Sequence, residues 1–451
     1  MPTDLGDALE PAARRVLEDN RRGAWTCPSS IVYPHQWLWD SCFVAIGVAR
    51  YEPVRAAGEM RALFRGQWAN GMLPHMIFGE DSNDIGSRRI WRSKDNPLAP
   101  RDVDTSCITQ PPLPAVAVHA VARALPVHDG RALLGELFPK LVAYHEWLYR
   151  ERDPQNSGLV TLIHPWECGL DTTPPWMQAL ARMKLPWWLW VASRLRLARA
   201  VRAARNDTRY IPAAERPSDD DGLRMLALAA RAKRHGFQLE RMPRIGGVLI
   251  KDLAFNAILA VANRALELIA RELAVALPSA LRAHMQRTPA AFDQLWDEET
   301  GQYFSQDAES SALIKVPTIA TFLPLWSAIP SPARAERLVA SLRTPAAFWP
   351  RYPIPSVPVD ATEFREAGYW KGPTWVNMSW MVEQGLLNYR EIELASELRR
   401  RTLELVERAG FSEYFSPLTG HGYGADDFSW TAALVIDLLA REETASLPDA
   451  P

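Results

Sequence analysis

The chain has 451 residues with 51 basic and 53 acidic side chains, a formal net charge of −2. So even a balance leaves no electrostatic footprint for nucleic acid, and no basic cluster stands out as a membrane-surface patch. A hydrophobic fraction of 47% against 23% charged residues excludes long disorder and a coiled-coil rod. The counts that need a use are 18 Trp and 36 Pro, because large flat indoles either fill a core or wall a cleft.

The start, MPTDLGDALE, lacks the basic and apolar regions of a signal peptide, and no run approaches the ~18 apolar residues of a membrane span. A cytoplasmic location is expected. Cys27, Cys42, Cys107 and Cys168 lie without CxxC spacing or a neighbouring His cluster, so free thiols are expected, with no metal and no cofactor. Apolar residues recur at i, i+3, i+4 and i+7 along nearly every long segment, and period-two alternation is scarce. Amphipathic helices rich in Arg and Glu are predicted near 6–20, 53–69, 131–150, 265–286, 333–343 and 390–409. Between them, 36–49, 105–122, 251–265, 315–328, 369–386 and 426–439 open on polar or aromatic residues and then turn apolar on nearly all sides, as expected of fully buried helices. Six buried helices alternating with six amphipathic ones predict an all-α fold, an (α/α)6 barrel with the polar starts gathered at one mouth. The stretch 172–250 breaks the alternation. Its PWWLW (186–190), a helix near 187–205 and the turn-rich RPSDDDG (216–222) read as an inserted helical lid, leaving 1–171 and 251–451 as the catalytic barrel.

Four segments carry candidate chemistry. The loop LIHPWECGLDTTPPW (162–176) packs Trp166, Glu167, Asp171 and Trp176 between glycine and proline turns. Carboxylates flanked by Trp are partly desolvated, and desolvation raises a carboxyl pKa toward that of a general acid; Asp171 is the candidate proton donor, with turn capping as the alternative for both acids. In FSEYFSPLTGHGYGADDFSW (411–430), Glu413 sits between aromatics after the helix-ending Gly410; a buried, hydrogen-bonded Glu is the competing reading. Two carboxylates meeting over one aromatic mouth are what glycoside hydrolysis requires. In YPHQWLWDSCF (33–43), Asp40 is either a ligand for two sugar hydroxyls or a helix cap, while aromatic faces such as Trp37 and Trp39 suit the C–H faces of a sugar. In YWKGPTW (369–375), Trp370, Lys371 and Trp375 surround a Gly-Pro turn. Lys371 is a candidate partner for the catalytic carboxylates or an anionic substrate group, and otherwise a solvated turn lysine.

QWLWDS (36–41), GMLPHMIF (71–78), TSCITQPP (105–112), HPWECGLD (164–171), YWKGPTWVNMSW (369–380) and EYFSPLTGHGYGADDFSWTAAL (413–434) together resemble glycoside hydrolase family 63. Within that family the likeness is to the bacterial mannosylglycerate and glucosylglycerate hydrolases, which are inverting α-glycosidases. It spans positions 33 to 440 in the same order. The resemblance implies an (α/α)6 barrel with a helical lid after the acid loop, Asp171 as general acid and Glu413 as general base. It also implies that Tyr33, Trp37, Asp40, Gln110, Tyr369, Trp370 and Trp375 line the sugar site; Trp39, Trp166 and Lys371, from the same segments, complete the expected substrate-binding set. Cys168 and Lys371 depart from the family's Ser and Arg, and Lys loses the rigid bidentate fork. The loop near 79–104 does not follow the family pattern, which leaves the leaving group open. The expected partner is a small carbohydrate, with no nucleic acid and no membrane; homo-oligomerisation is compatible with the sequence. Competing readings are a trehalase- or glucoamylase-like enzyme, a sugar epimerase using barrel histidines, and a non-catalytic helical scaffold.

Overall fold

A computed structural model describes residues 3–80, 85–183, 210–242 and 248–446. Its helices, in chain order, are α1 (Thr3–Asp19), α2 (Leu38–Val48), α3 (Pro53–Phe64), α4 (Ile85–Trp91), α5 (Pro114–Ala124), α6 (Val127–Arg152), α7 (Pro174–Arg182) and α8 (Asp219–Arg234). They continue as α9 (Leu253–Leu273), α10 (Ser279–Ala291), α11 (Leu323–Ser327), α12 (Pro332–Leu342), α13 (Val376–Asn388), α14 (Ile392–Ala409) and α15 (Ser429–Ser446). Six of these close a ring: α2 packs on α5, α5 on α9, α9 on α11, α11 on α13, α13 on α15, and α15 returns to α2. Around it, α1 lies on α15, α3 on α2 and α5, α6 on α5 and α9, α10 on α6 and α9, and α14 on α13 and α15. The fold is an (α/α)6 barrel.

Ring helices are apolar on all sides because they are enclosed on all sides; every residue of α2 is buried. Small residues let their backbones approach. A Cβ built on Gly47 of α2 would stand 2.1 Å from the Ala433 carbonyl oxygen of α15, so only glycine fits there. The 21-residue α9, with mean hydropathy 1.5, is long and apolar enough to cross a membrane, contrary to the expectation from the sequence; it is mostly buried in the ring instead.

Several boundaries differ from the sequence reading. The helix predicted over 265–286 is two pieces: α9 runs on to Leu273 and stops at Ala274 in a left-handed conformation (φ 58°), and α10 begins after Pro278. The segment 315–328 is helical only over a 3-10 turn, Ile319–Phe322, and the short α11. The segments at 105 and 369 enter their helices late, at Pro114 and Val376; prolines at 111, 112 and 373 disfavour helical backbone in the lead-ins, while Leu113 is already helical (φ −79°, ψ −13°) and Pro114 takes the first helical position. These lead-ins carry much of the mouth. Two short antiparallel pairings brace it, Gln36–Trp37 with Met76–Ile77 and Tyr414–Phe415 with Gly422–Tyr423. Within 172–250, α7 and α8 pack together and α8 reaches α4; the expected helix near 187–205 and PWWLW lie outside the described residues. All four cysteines are free thiols, and all are buried.

Candidate active site

Glu413 lies just before the Tyr414–Phe415 strand, where Gly410 (φ 76°) has ended α14 and turned the chain inward. Its carboxylate is 2% exposed and fully engaged. The Tyr33 hydroxyl donates to Oε1 at 3.0 Å, the Ala425 amide to Oε2 at 3.0 Å, and Arg216 Nη2 to Oε2 at 2.7 Å. Arg216 Nη1 adds a contact to Oε1 at 3.4 Å and donates to the Tyr33 oxygen at 2.5 Å. The guanidinium also sits over the Tyr33 and Tyr369 rings, 5.5 and 5.1 Å from their centroids. Glu413 is thus an oriented anion paired with a buried cation.

Asp171 follows the tight turn at Gly169, whose φ of 77° no L side chain adopts readily and whose missing Cβ makes room for the Trp39 ring. One face of Asp171 stays partly open. Desolvation of its carboxyl, with the Glu413 charge beside it, outweighs the opposing Arg216 charge and pushes the pKa up to about 8. Asp171 therefore keeps its proton at neutral pH. Glu167, four residues earlier, is spent on structure: it is fully buried, pairs with Arg152 at 2.6 Å and accepts from the Ile163 amide at 2.8 Å.

Asp40 completes a group of three carboxyls. Burial, and then the charges of Glu413 and Asp171, hold its carboxyl well above the usual range. It does not cap α2: the cap position is Trp37, and no side chain bonds there. Tyr33, Trp37, Trp166, Tyr369 and Lys371 are partly open. Trp37 Nε1 is buried without a partner, a donor left for a ligand. Trp166 lies parallel to His75 and 4.4 Å from His164, and burial drives both imidazoles down, to about 3 and about 4, so they are neutral. Trp39, Trp370 and Trp375, expected to contact sugar, form a packed layer instead, at 2%, 1% and 0% exposure. Trp370 stacks on Trp375 at 3.7 Å and Tyr414 covers the other face of Trp375 at 4.6 Å, so their π faces are occupied by one another. Gln110 is buried too, with Oε1 accepting from the Trp39 amide at 3.3 Å.

The sequence reading missed Arg216 and Glu215. RPSDDDG looked like a turn, and nothing in its spacing ties it to Glu413. Yet Glu215 accepts from the Gly424 amide through Oε2 (2.9 Å) and from the Tyr414 hydroxyl through its backbone oxygen (2.5 Å). Lys371 reaches neither catalytic candidate; its ammonium pairs with Asp221 at 3.1 Å. The segment 215–221 is tied to the mouth at three points.

The description "Mannosylglycerate hydrolase MGH1-like glycoside hydrolase domain" belongs to the family model matching residues 33–431. A mannosylglycerate hydrolase of Thermus thermophilus is 39% identical, over 94% of this chain and 99% of its own. A glucosylglycerate hydrolase of Mycolicibacterium hassiacum is 32% identical, over 97% and 99%. The crystal structure of a family 63 mannosylglycerate hydrolase from Thermus thermophilus with Tris and D-glycerate superposes with a TM-score of 0.84 at 37% identity, covering 95% of this chain and 99% of that one.

Proposed function

The chain belongs to the mannosylglycerate hydrolase MGH1-like glycoside hydrolase family, and from that premise we propose that this glycoside hydrolase cleaves an α-glucoside or α-mannoside of glycerate with inversion of configuration. The observation that carries the reading is the contrast between two acids at one mouth, Asp171 protonated and Glu413 ion-paired. Asp171 gives its proton to the glycosidic oxygen as the C–O bond breaks. Glu413 takes a proton from a water that attacks the opposite face of the ring, a geometry that places inverting carboxyls ~6.5–9.5 Å apart. Asp40 and the Trp37 N–H bind sugar hydroxyls, and the Glu413 carboxylate and fixed dipoles around it stabilise the oxocarbenium-like state.

The same reading takes 1–171 and 251–451 as the catalytic barrel and 172–250 as its lid, supported by the ties of Glu215, Arg216 and Asp221 to the mouth. A cytoplasmic location, where thiols stay reduced, suits the four free cysteines.

The test is hydrolysis of glucosylglycerate and mannosylglycerate followed by proton NMR. The first-formed sugar is expected as the β anomer; an α anomer overturns inversion. Asp171→Ala and Glu413→Ala are each expected to lower kcat by ~100-fold or more with the fold retained by circular dichroism. Full turnover in either variant removes that residue from its role.

A further inference from the structure

Behind the mouth lies a carboxylate that the hydrolysis does not use. Glu59 belongs to the outer helix α3 but is 3% exposed, turned inward against the ring. Its Oε1 accepts from the Ser41 hydroxyl at 2.6 Å and from Gln36 Nε2 at 3.2 Å, and the Thr26 side chain bonds it as well. Gln36 Nε2 also donates to Ser41 Oγ at 3.0 Å, closing a triangle. One buried carboxyl therefore joins four elements: the Trp25–Thr26 strand, the Gln36–Trp37 strand, the first turn of α2, and α3.

The residues it grips are immediate chain neighbours of the sugar-side ones. Gln36 precedes Trp37, and Ser41 follows Asp40. Successive strand residues point to opposite faces, so fixing Gln36 on the α3 side sends Trp37 the other way. On a helix, successive side chains are about 100° apart, so Ser41 locked onto Glu59 sets the rotation of the first turn and with it the direction of Asp40. We propose that Glu59 is a positioning residue that aims Asp40 and Trp37 into the sugar site. The inference rests on the glycosidase reading of the mouth.

An ionised Glu59 accepts from all three side chains; a protonated one turns one acceptor position into a donor, so a hydroxyl partner must reverse its bond and the network is reordered. Burial pushes its pKa up to about 7 against the opposing hydrogen bonds, so this change falls near neutrality. The other charged or titratable groups facing it are Arg55 on α3, Cys42 on α2 and Cys27 next to the Trp25–Thr26 strand; burial keeps both thiols neutral. Gln36 also borders a cavity of about 540 Å³ with Trp25 and Phe78.

The experiment compares the wild type, Glu59→Gln and Glu59→Ala by kcat and KM for glucosylglycerate and mannosylglycerate, and by fluorine NMR of 5-fluorotryptophan-labelled protein, with Trp37 assigned through Trp37→Phe. Glu59→Ala is expected to lower kcat/KM by about 100-fold, as an ångström-scale misplacement does, and Glu59→Gln to restore most of it. The Trp37 resonance should shift with a midpoint near pH 7 in the wild type and stay flat in Glu59→Gln. Wild-type kinetics in Glu59→Ala, or an unchanged Trp37 titration in Glu59→Gln, overturns the proposal. If Glu59→Ala fails to fold, the fluorine titration of Glu59→Gln decides alone. A wild type that titrates as described yet cleaves neither glycoside sinks the substrate reading and leaves the role of Glu59 standing.

Discussion

Arg216 meets Glu413 with two nitrogens and Tyr33 with one, and both members of the ion pair are buried. A lysine there would keep the charge but lose the fork that matches a carboxylate. Arg216→Lys is therefore expected to lower kcat by about 10- to 100-fold, since each tenfold step corresponds to 1.36 kcal/mol of transition-state stabilisation. Arg216→Ala goes further, because a buried anion stripped of its partner costs ~3–5 kcal/mol of stability. Steady-state kinetics and thermal denaturation check both; wild-type kcat in Arg216→Lys would show that the fork has no role. At this scale the sequence was partly legible. Asp171, Glu413 and Asp40 stand in motifs dense with Trp, Gly and Pro, and such composition marks a rigid site. Arg216 stands in a polar turn that looks like any other, and only its placement against Glu413 distinguishes it.

Among the elements, the ring depends on close helix contact. At Gly47 an added methyl would meet the backbone of Ala433, which cannot move without shifting α15. Gly47→Ala should therefore lower the melting temperature despite alanine's better helix propensity, with a cost of ~1–3 kcal/mol or more from overpacking. Gly135 in α6 is the control: a Cβ there meets nothing within 4 Å, so Gly135→Ala should stabilise by up to ~1 kcal/mol. Differential scanning calorimetry distinguishes them, and equal shifts in the two variants would refute the packing argument. Helix identity was legible from periodicity, but helix starts were not. The stretches before Pro114 and Val376 have helical composition but irregular backbone, because the prolines at 111, 112 and 373 interrupt the apolar pattern. The helix predicted over 265–286 joined the end of α9 to the start of α10 for a different reason, since a single left-handed Ala274 leaves no mark in composition.

For the whole molecule, the buried carboxyls make stability depend on pH. Asp252, Glu59 and Asp171 have folded pKa values of about 6, 7 and 8, each raised first by desolvation above ordinary values of 3.8, 4.5 and 3.8. Their contribution is fully present below about pH 4 and is lost as pH rises through 6 to 8. Asp171→Asn removes the last of these losses. Its melting temperature should match the wild type near pH 4 and exceed it by a few degrees at pH 8, while the wild-type rate falls above pH 8 as the acid deprotonates. Parallel melting curves for the two proteins across that range would contradict it. The sequence by itself determined the class of the fold, because all-round apolar helices alternating with amphipathic ones pack as an inner and an outer ring, and it singled out Asp171 and Glu413 as candidates through the aromatic residues beside them. Only the tertiary structure decided which indoles stay open, which cation faces which acid, and that a carboxylate on an outer helix lies behind Trp37 and Asp40. Those outcomes depend on contacts between residues hundreds of positions apart, and local pattern carries no record of them.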